Sequence, residues 1–145
     1  MKLFDVNILI YAHRKDQPEH AFYNDYLQRQ IEHSDAFAMS PLVAGAFVRI
    51  VTNPRFPNGP TPLPQALAVI DSLVSLKHCH LLRSGQRHWE ILSNLCRQTQ
   101  AKGKLVADAQ HAAVAIENSC QWITRDGDFE CFQRLGLQLE LIMPN

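Results

Sequence analysis

Apolar residues change their spacing several times along the chain, and each change marks a predicted element. Short apolar runs predict strands, whereas apolar pairs that recur every three or four residues predict amphipathic helices. The predicted strands are residues 2–5, 36–40, 79–82, 120–124 and 137–143. The predicted helices are residues 19–32, 41–52, 66–74, 89–99 and 105–118.

Strands therefore alternate with helices, and most strands are separated by two helices. This order predicts a three-layer α/β/α fold with a central, mainly parallel sheet. The proline-rich stretch NPRFPNGPTPLP, residues 53–64, has a predicted helix on each side and is interpreted as a loop within one domain. Because 145 residues fit one domain of ordinary size and this is the only linker-like stretch, residues 1–145 are predicted to form a single domain.

Composition limits the classes of function. Fourteen basic and fourteen acidic residues give no net charge, so any contact with nucleic acid requires a local basic patch. The four cysteines have no CxxC spacing, which argues against a zinc site and predicts free thiols in a reducing cytoplasm. No apolar run approaches the ~18 residues of a membrane span, so no membrane association is expected.

Three aspartates stand at related positions in the predicted fold. Asp5 ends the first strand, and Asp126 comes two residues after Thr124, the end of the fourth strand. Asp108 lies in the first turn of the helix that leads into the fourth strand. Functional groups of open α/β sheets gather at the carboxyl ends of the strands. We therefore expect the three carboxylates to converge at one edge of the sheet.

Converging carboxylates repel one another, and burial makes each of them harder to ionise. A hard divalent cation such as Mg²⁺ or Mn²⁺ relieves both effects, because it prefers oxygen ligands. Such an ion activates water and polarises a phosphate, so the cluster predicts phosphodiester hydrolysis. The alternative for any single aspartate is a solvated side chain that the dipole of a helix favours.

Several segments carry a family resemblance. LFDVNILIYA at the N-terminus, LVADAQHAAVAIENS (105–119) and WITRDGDF (122–129) resemble the acidic motifs of the PIN-domain ribonucleases. AFVRIVTNPRF and RHWEIL are similar to segments of the VapC-like toxins of type II toxin–antitoxin pairs. The resemblance covers essentially the whole chain, in the right order. It implies a PIN-like fold and a metal-dependent endoribonuclease that acts as a toxin.

The resemblance also implies roles for individual residues. Asp5 and Asp108 would be the principal ligands of Mg²⁺ or Mn²⁺, and Asp126 would complete the catalytic and metal-binding cluster. Asn7 would orient Asp5 or a water molecule by hydrogen bonding.

Three further residues would support this cluster. Thr124 would supply a hydroxyl group beside the ligands, and Asp128 would lie near the rim or cap the following turn. Arg49 would pair with the acids or with a phosphate; a surface salt bridge is the alternative. The implied partners are an RNA substrate, a cognate antitoxin and a second copy of the chain.

One position departs from the family pattern. Ala46 occupies the place of a glutamate that the family usually carries before the Phe-x-Arg stretch, and no acid occurs between Asp35 and Asp71. A second metal ion would therefore bind more weakly. This leaves open a degenerate PIN module that binds RNA or protein without cleavage. A HAD-like phosphatase is less compatible, because it requires an aspartate where Asn7 stands.

Some residues near the motifs have two interpretations. Lys102, Lys104 and Arg125 are close in sequence to the acids and either contact RNA phosphates or belong to solvated loops. His111, one helical turn after Asp108, reaches the cleft or lies on the helix surface.

Two helical residues carry structural expectations. Trp89 fits the apolar stripe of its helix and is predicted to lie in the core. Gly45, inside a helix, is interpreted as a site of close helix packing, because glycine otherwise destabilises a helix by about 1 kcal/mol relative to alanine.

Overall fold

The computed structural model describes residues 1–33 and 35–145. Its strands are β1 (Lys2–Phe4), β2 (Phe37–Met39), β3 (Cys79–Leu81), β4 (Gln121–Thr124) and β5 (Gln138–Leu141). Its α-helices are α1 (Val6–His13), α2 (His20–Glu32), α3 (Pro41–Val51), α4 (Leu63–Val74), α5 (His88–Thr99) and α6 (Lys104–Glu117). A 3₁₀ helix, Gly127–Leu135, precedes β5.

The five strands form one sheet in the order β3-β2-β1-β4-β5, and every pairing within it is parallel. Helices flank the sheet, which confirms the predicted α/β/α fold. The chain first extends the sheet from β1 towards β3 and later adds β4 and β5 on the other side of β1. The strand order thus reverses between β1 and β4. Open α/β sheets bind their ligands at the carboxyl ends of such a switch point.

Helix α1 was absent from the prediction. Its sequence VNILIYAH contains a run of apolar and β-branched residues that has no clear helical period. Asp5 ends the strand and begins this helix, since its carboxylate accepts a hydrogen bond from the backbone N–H of Val6 at 2.6 Å. A single residue thus turns the chain from the sheet into the helix.

The 3₁₀ helix after β4 was also absent from the prediction. Phe129 and Phe132 are both buried and stand three residues apart, which places them on one side of a 3₁₀ helix. The ring of Phe129 packs against Trp122 of β4, with 5.3 Å between ring centroids. Asp126 starts the segment by accepting a hydrogen bond from the backbone N–H of Asp128 at 2.9 Å.

The core contains large side chains from the sheet and small ones from α6. Trp122 is fully buried at the centre of β4. Four buried alanines line α6, and their small size lets this helix lie close to its neighbours: Ala109, Ala112, Ala113 and Ala115. The core position predicted for Trp89 is wrong, because 72% of this residue is exposed at the start of α5. Among residues 1–33 and 35–145, no helix combines the length and the apolar character needed to cross a bilayer.

Gly45 lies on the exposed side of α3, and a Cβ atom added there would meet no heavy atom within 4 Å. Close helix packing is therefore not the reason for this glycine. We predict that Gly45→Ala increases the free energy of unfolding by about 0.5–1 kcal/mol, because alanine restricts the unfolded chain and fits the helix. Chemical denaturation of metal-free protein measures this change.

Gly136 provides the control, because it also has no atom within 4 Å of an added Cβ but has a φ of +113°. Gly136→Ala should therefore destabilise the protein through backbone strain alone. A destabilising Gly45→Ala would show that α3 packs against something at this face.

Candidate functional site

Two adjacent strands and one helix bring the acids together. The backbone N–H of Asp5 donates to the carbonyl oxygen of Ile123 at 2.8 Å, which continues the pairing of β1 with β4. Asp5 therefore stands beside Thr124, the last residue of β4. The first turns of α6 place Asp108 next to the same strand end, where burial leaves it 8% exposed. The carboxylates thus lie at the switch point of the sheet.

Asp5 is held by hydrogen bonds from several directions. The Thr124 hydroxyl donates to Asp5 Oδ2 at 2.6 Å, and Asn7 Nδ2 donates to the same oxygen at 3.2 Å. Thr124 Oγ1 in turn accepts from Asn7 Nδ2 at 3.2 Å and from the backbone N–H of Asp126 at 3.0 Å. One hydroxyl group thereby fixes the positions of two of the acids relative to each other.

Burial raises the pKa of Asp5 to about 6. Hydrogen bonds from Thr124 and Val6 oppose this effect by stabilising the carboxylate, while the charges of Asp108 and Asp126 add to it. Asp108 and Asp126 are thus close enough to Asp5 for their charges to disfavour its ionisation. At neutral pH Asp5 is ionised, and its charge is only partly compensated.

Asp108, Asp126 and Asp128 form the second half of the site. Each offers a carboxylate oxygen, and these three oxygens all lie within 4.8 Å of one another. Asp108 is buried, Asp126 is half-buried and Asp128 is exposed. The three acids thus extend from the carboxyl ends of the strands towards solvent.

Lys104, the first residue of α6, contacts all three of these acids. Its Nζ atom lies 3.0 Å from Asp108 Oδ2, 3.0 Å from Asp126 Oδ2 and 3.5 Å from Asp128 Oδ2. Hydrogen bonds to Asp126 and Asp108 raise the pKa of Lys104 above its ordinary value. The ammonium group therefore stays charged and lies where the carboxylates attract a cation.

Asp108 and Asp126 differ in whether burial or hydrogen bonding dominates their pKa. Burial raises the pKa of Asp108 and outweighs the lowering effect of Lys104. Burial also tends to raise the pKa of Asp126. Hydrogen bonds from the Asp128 backbone and from Lys104 outweigh this effect, so the pKa of Asp126 lies below its ordinary value. Asp126 is consequently more readily ionised than Asp5 or Asp108 when no metal is bound.

The residues at this edge fit a divalent metal ion. The donors are carboxylate oxygens, which Mg²⁺ and Mn²⁺ prefer. Asn7 Oδ1 is buried and has no hydrogen-bond partner among the described residues. This acceptor lies on the same side chain that bonds Asp5, so it could accept a hydrogen bond from a water molecule held beside the carboxylates. An unpaired buried acceptor is otherwise destabilising.

The structure brings together most of the residues that the sequence identified. They are Asp5, Asn7, Asp108, Thr124, Asp126 and Asp128. Arg49 lies elsewhere, in a groove between α3 and α4 with Leu67 and Asp71. In the described part of the chain, no hydrogen bond or ion pair joins Arg49 to the carboxylates. Its role at a phosphate stays a prediction.

Two neighbouring side chains are structural. Arg125 pairs with Glu19, and its guanidinium group stacks on the ring of Tyr11 at 4.5 Å, so it anchors the strand end to α1 and α2. His111 stacks on Trp122 at 5.3 Å between ring centroids, and burial lowers its pKa to about 4. The contact of Lys104 with the acids was not recognised from the sequence. The four-residue spacing between Lys104 and Asp108 is the signal that indicates it.

The fold and this carboxylate cluster define an α/β/α domain with an acidic site at the strand ends. The family model described as "PIN domain" matches residues 2–135. The chain belongs to the PIN-domain family, as its motifs predicted.

Relatives and solved structures agree with this assignment. Ribonuclease VapC43 of Mycobacterium tuberculosis is 38% identical over 135 residues, which are 93% of this chain and 92% of the relative. Ribonuclease VapC25 of the same organism is 37% identical over 133 residues, which are 91% of this chain and 93% of the relative.

The fold is also similar to crystal structures of lower sequence identity. VapBC2 from Rickettsia felis, bound to a DNA fragment from its promoter, matches with a TM-score of 0.68 and 17% identity, and the match covers 97% of both chains. VapC20 from M. tuberculosis, a sarcin–ricin loop cleaving toxin, matches with a TM-score of 0.64 and 15% identity, covering 99% of this chain and 100% of that one. At these identities the likeness concerns the fold.

The raised pKa of Asp5 predicts how pH affects stability. The ordinary value is 3.8 and the folded value is about 6, so the unfolded chain releases this proton first as the pH rises. Without metal, the contribution of Asp5 to stability should therefore fall between about pH 4 and pH 6, by up to about 3 kcal/mol, and stay low above pH 6. The buried His111, whose pKa is lowered to about 4, acts in the opposite direction over this range, so the effect of Asp5 appears as the difference between the wild-type and Asp5→Asn profiles. Asp5→Asn removes this contribution. Denaturation in EDTA across that range measures it.

The exposed Asp25 supplies the control, because Asp25→Asn changes the same charge away from the site. That variant should follow the wild-type pH profile. If Asp5→Asn and wild type gave parallel profiles, the raised pKa of Asp5 would be wrong.

Proposed function

We propose that the protein is a metal-dependent endoribonuclease that hydrolyses RNA phosphodiester bonds and serves as the toxin of a toxin–antitoxin pair. The supporting observation is the group of four aspartates at the switch point of the sheet, with carboxylate oxygens of three of them within 4.8 Å of one another. Membership of the PIN-domain family and identity of 37–38% to relatives named ribonucleases support the same conclusion.

Asp5, Asp108 and Asp126 would hold Mg²⁺ or Mn²⁺, with Asp128 at the rim. When bound, such an ion supplies Lewis acidity towards a phosphate and lowers the pKa of water. Thr124 keeps the Asp5 carboxylate in place through its 2.6 Å hydrogen bond. Asn7 presents its buried Oδ1 as an acceptor that orients a water molecule. The protein thus contributes a fixed set of oxygen donors that is assembled before the substrate binds.

The proposed partners are an RNA substrate, a cognate antitoxin and a second copy of the chain. Several structures with the same fold are toxin–antitoxin complexes, including VapBC2 from R. felis. An antitoxin that inserts a basic side chain among the carboxylates would satisfy the same charges as a metal ion. We place this activity in the cytoplasm, where the four cysteines would remain reduced.

A non-cleaving PIN module that binds RNA or a partner protein is the second candidate. Ala46 motivates it, because α3 carries no acidic residue. A site with one carboxylate fewer binds a second divalent ion more weakly. In the ribonuclease that we propose, the missing carboxylate should raise the metal concentration needed for cleavage.

Removing a principal carboxylate tests the catalytic role. Asp5→Asn and Asp108→Asn should each lower RNA cleavage roughly a hundredfold or more, because a ligand and its charge are lost from the reacting centre. Expression of wild type without an antitoxin should stop growth, and both variants should relieve this arrest. Cleavage of a fluorescent RNA by purified protein in Mn²⁺ measures the effect.

Asp25→Asn is the matched control, since it removes an exposed carboxylate on α2 and should leave cleavage unchanged. Growth arrest that persists with Asp108→Asn at equal expression would contradict catalysis. That result would favour the binding module.

The alanine in α3 provides a test by gain of function. If Ala46 stands at the vacant ligand position, Ala46→Glu should tighten Mn²⁺ binding and lower the metal concentration needed for RNA cleavage. Glutamate is a good helix former, so α3 should tolerate it. The added charge should slightly lower metal-free stability, and binding of metal to the folded state should reverse that loss. Calorimetry and thermal unfolding measure the two effects.

Ala44→Glu is the control for this variant. Ala44 lies on the same helix but lines the groove towards α4 with Val48 and Leu67. It should not change metal binding. Equal Mn²⁺ affinity of Ala46→Glu and wild type would mean that Ala46 does not face the site.

A further inference from the structure

The Lys104 ammonium lies among the carboxylates that would hold the metal ion. It contacts Asp108, Asp126 and Asp128, at distances of 3.0, 3.0 and 3.5 Å from its Nζ atom. These are three of the four acids that the fold gathers at the sheet edge. The positive charge therefore occupies the position that the acids create for a cation.

The position of Lys104 in the helix indicates that the acids determine its place. As the first residue of α6, it brings a positive charge to the end of the helix where the macrodipole disfavours one. An exposed lysine there would normally extend into water. The side chain of Lys104 is 66% exposed, yet its tip turns back to the cluster. The attraction of three carboxylates outweighs the unfavourable helix end.

We propose that Lys104 is a built-in counter-ion that competes with the divalent metal for Asp108, Asp126 and Asp128 and leaves them when the metal binds. This inference rests on the proposed function of the cluster as a metal site. In this role, Lys104 sets the metal concentration at which the site binds a divalent ion.

The competition follows from geometry and charge. A Mg²⁺ ion needs carboxylate oxygens at 2.0–2.1 Å, and an ammonium 3.0 Å from Asp108 and from Asp126 uses the same oxygens. Two cations within a few ångströms also repel each other. Because most of the Lys104 side chain is exposed, it can turn into solvent without disrupting the core. The apparent metal affinity is thus reduced by the fraction of molecules in which the lysine fills the site.

The test compares two lysine variants by calorimetric titration with Mn²⁺. Lys104→Met removes the ammonium and retains a flexible chain that suits a helix. Lys102→Met makes the same charge change at an exposed position two residues away. We expect Lys104→Met to bind Mn²⁺ roughly tenfold more tightly than wild type, as three contacts of the strength of exposed ion pairs would give together. Lys102→Met should stay within about twofold.

Thermal unfolding supplies a readout that does not depend on activity. In EDTA, Lys104→Met should unfold at a lower temperature than Lys102→Met, because the carboxylates lose their compensating charge. Saturating Mn²⁺ should remove this difference. Lys104→Gln should behave like Lys104→Met, which separates the loss of charge from any effect of the methionine side chain.

The outcomes separate this inference from the proposed function. If wild type binds Mn²⁺ with the same affinity as Lys104→Met, the proposed competition is wrong, whereas the proposed metal site still stands. Weaker Mn²⁺ binding by Lys104→Met also overturns it and would mean that the lysine helps to hold the loaded site. Absence of Mn²⁺ binding by every variant at millimolar concentration overturns the metal site itself, and the role of Lys104 with it.

Discussion

Repulsion among carboxylates at the switch point is the constraint on which the rest of this structure depends. Burial disfavours each charge, and the neighbouring acids raise the pKa of Asp5 further, to about 6. The protein opposes this with donors aimed at single oxygens, above all the Thr124 hydroxyl and the Val6 backbone. These donors come from β4 and α1. The strand pairing and the start of α1 are therefore part of the site as well as of the fold.

The sequence predicted the sheet well because its strands and helices alternate clearly. The switch from α6 to β4 could be located, since the alanines of α6 give way to the compact apolar run at Trp122. Helix α1 could not be, because VNILIYAH has the composition of a buried strand. The hydrogen bond from the Val6 N–H to the Asp5 carboxylate begins the helix, and packing against α2 and α3 supports it. Local propensity was overruled there, as it often is in buried segments.

The sequence predicts the site residues whose positions follow from the ends of the strands. It does not predict the contacts that depend on the direction in which a side chain points. Asp5, Thr124 and Asp126 follow from the topology, since parallel strands end at one edge. Arg125 is adjacent to Asp126 in sequence, but it points away from the acids and pairs with Glu19. The four-residue spacing between Lys104 and Asp108 indicates the contact of that lysine, whereas no spacing in the sequence pairs Arg125 with Glu19. The charged groups that surround each side chain in the folded protein determine which partner it contacts.

Two features of this chain make the site less negative, namely the ammonium group of Lys104 and the alanine at position 46. Four ionised aspartates and Lys104 would give a net charge of −3, and Ala46 adds no further acid from α3. Fewer negative charges and an internal ammonium both weaken the attraction for a divalent ion and both reduce repulsion in the metal-free fold. Stability without metal and affinity for metal are therefore opposed at this site. We propose that the protein stays folded without metal and takes up divalent ions only at concentrations high enough to displace its own lysine.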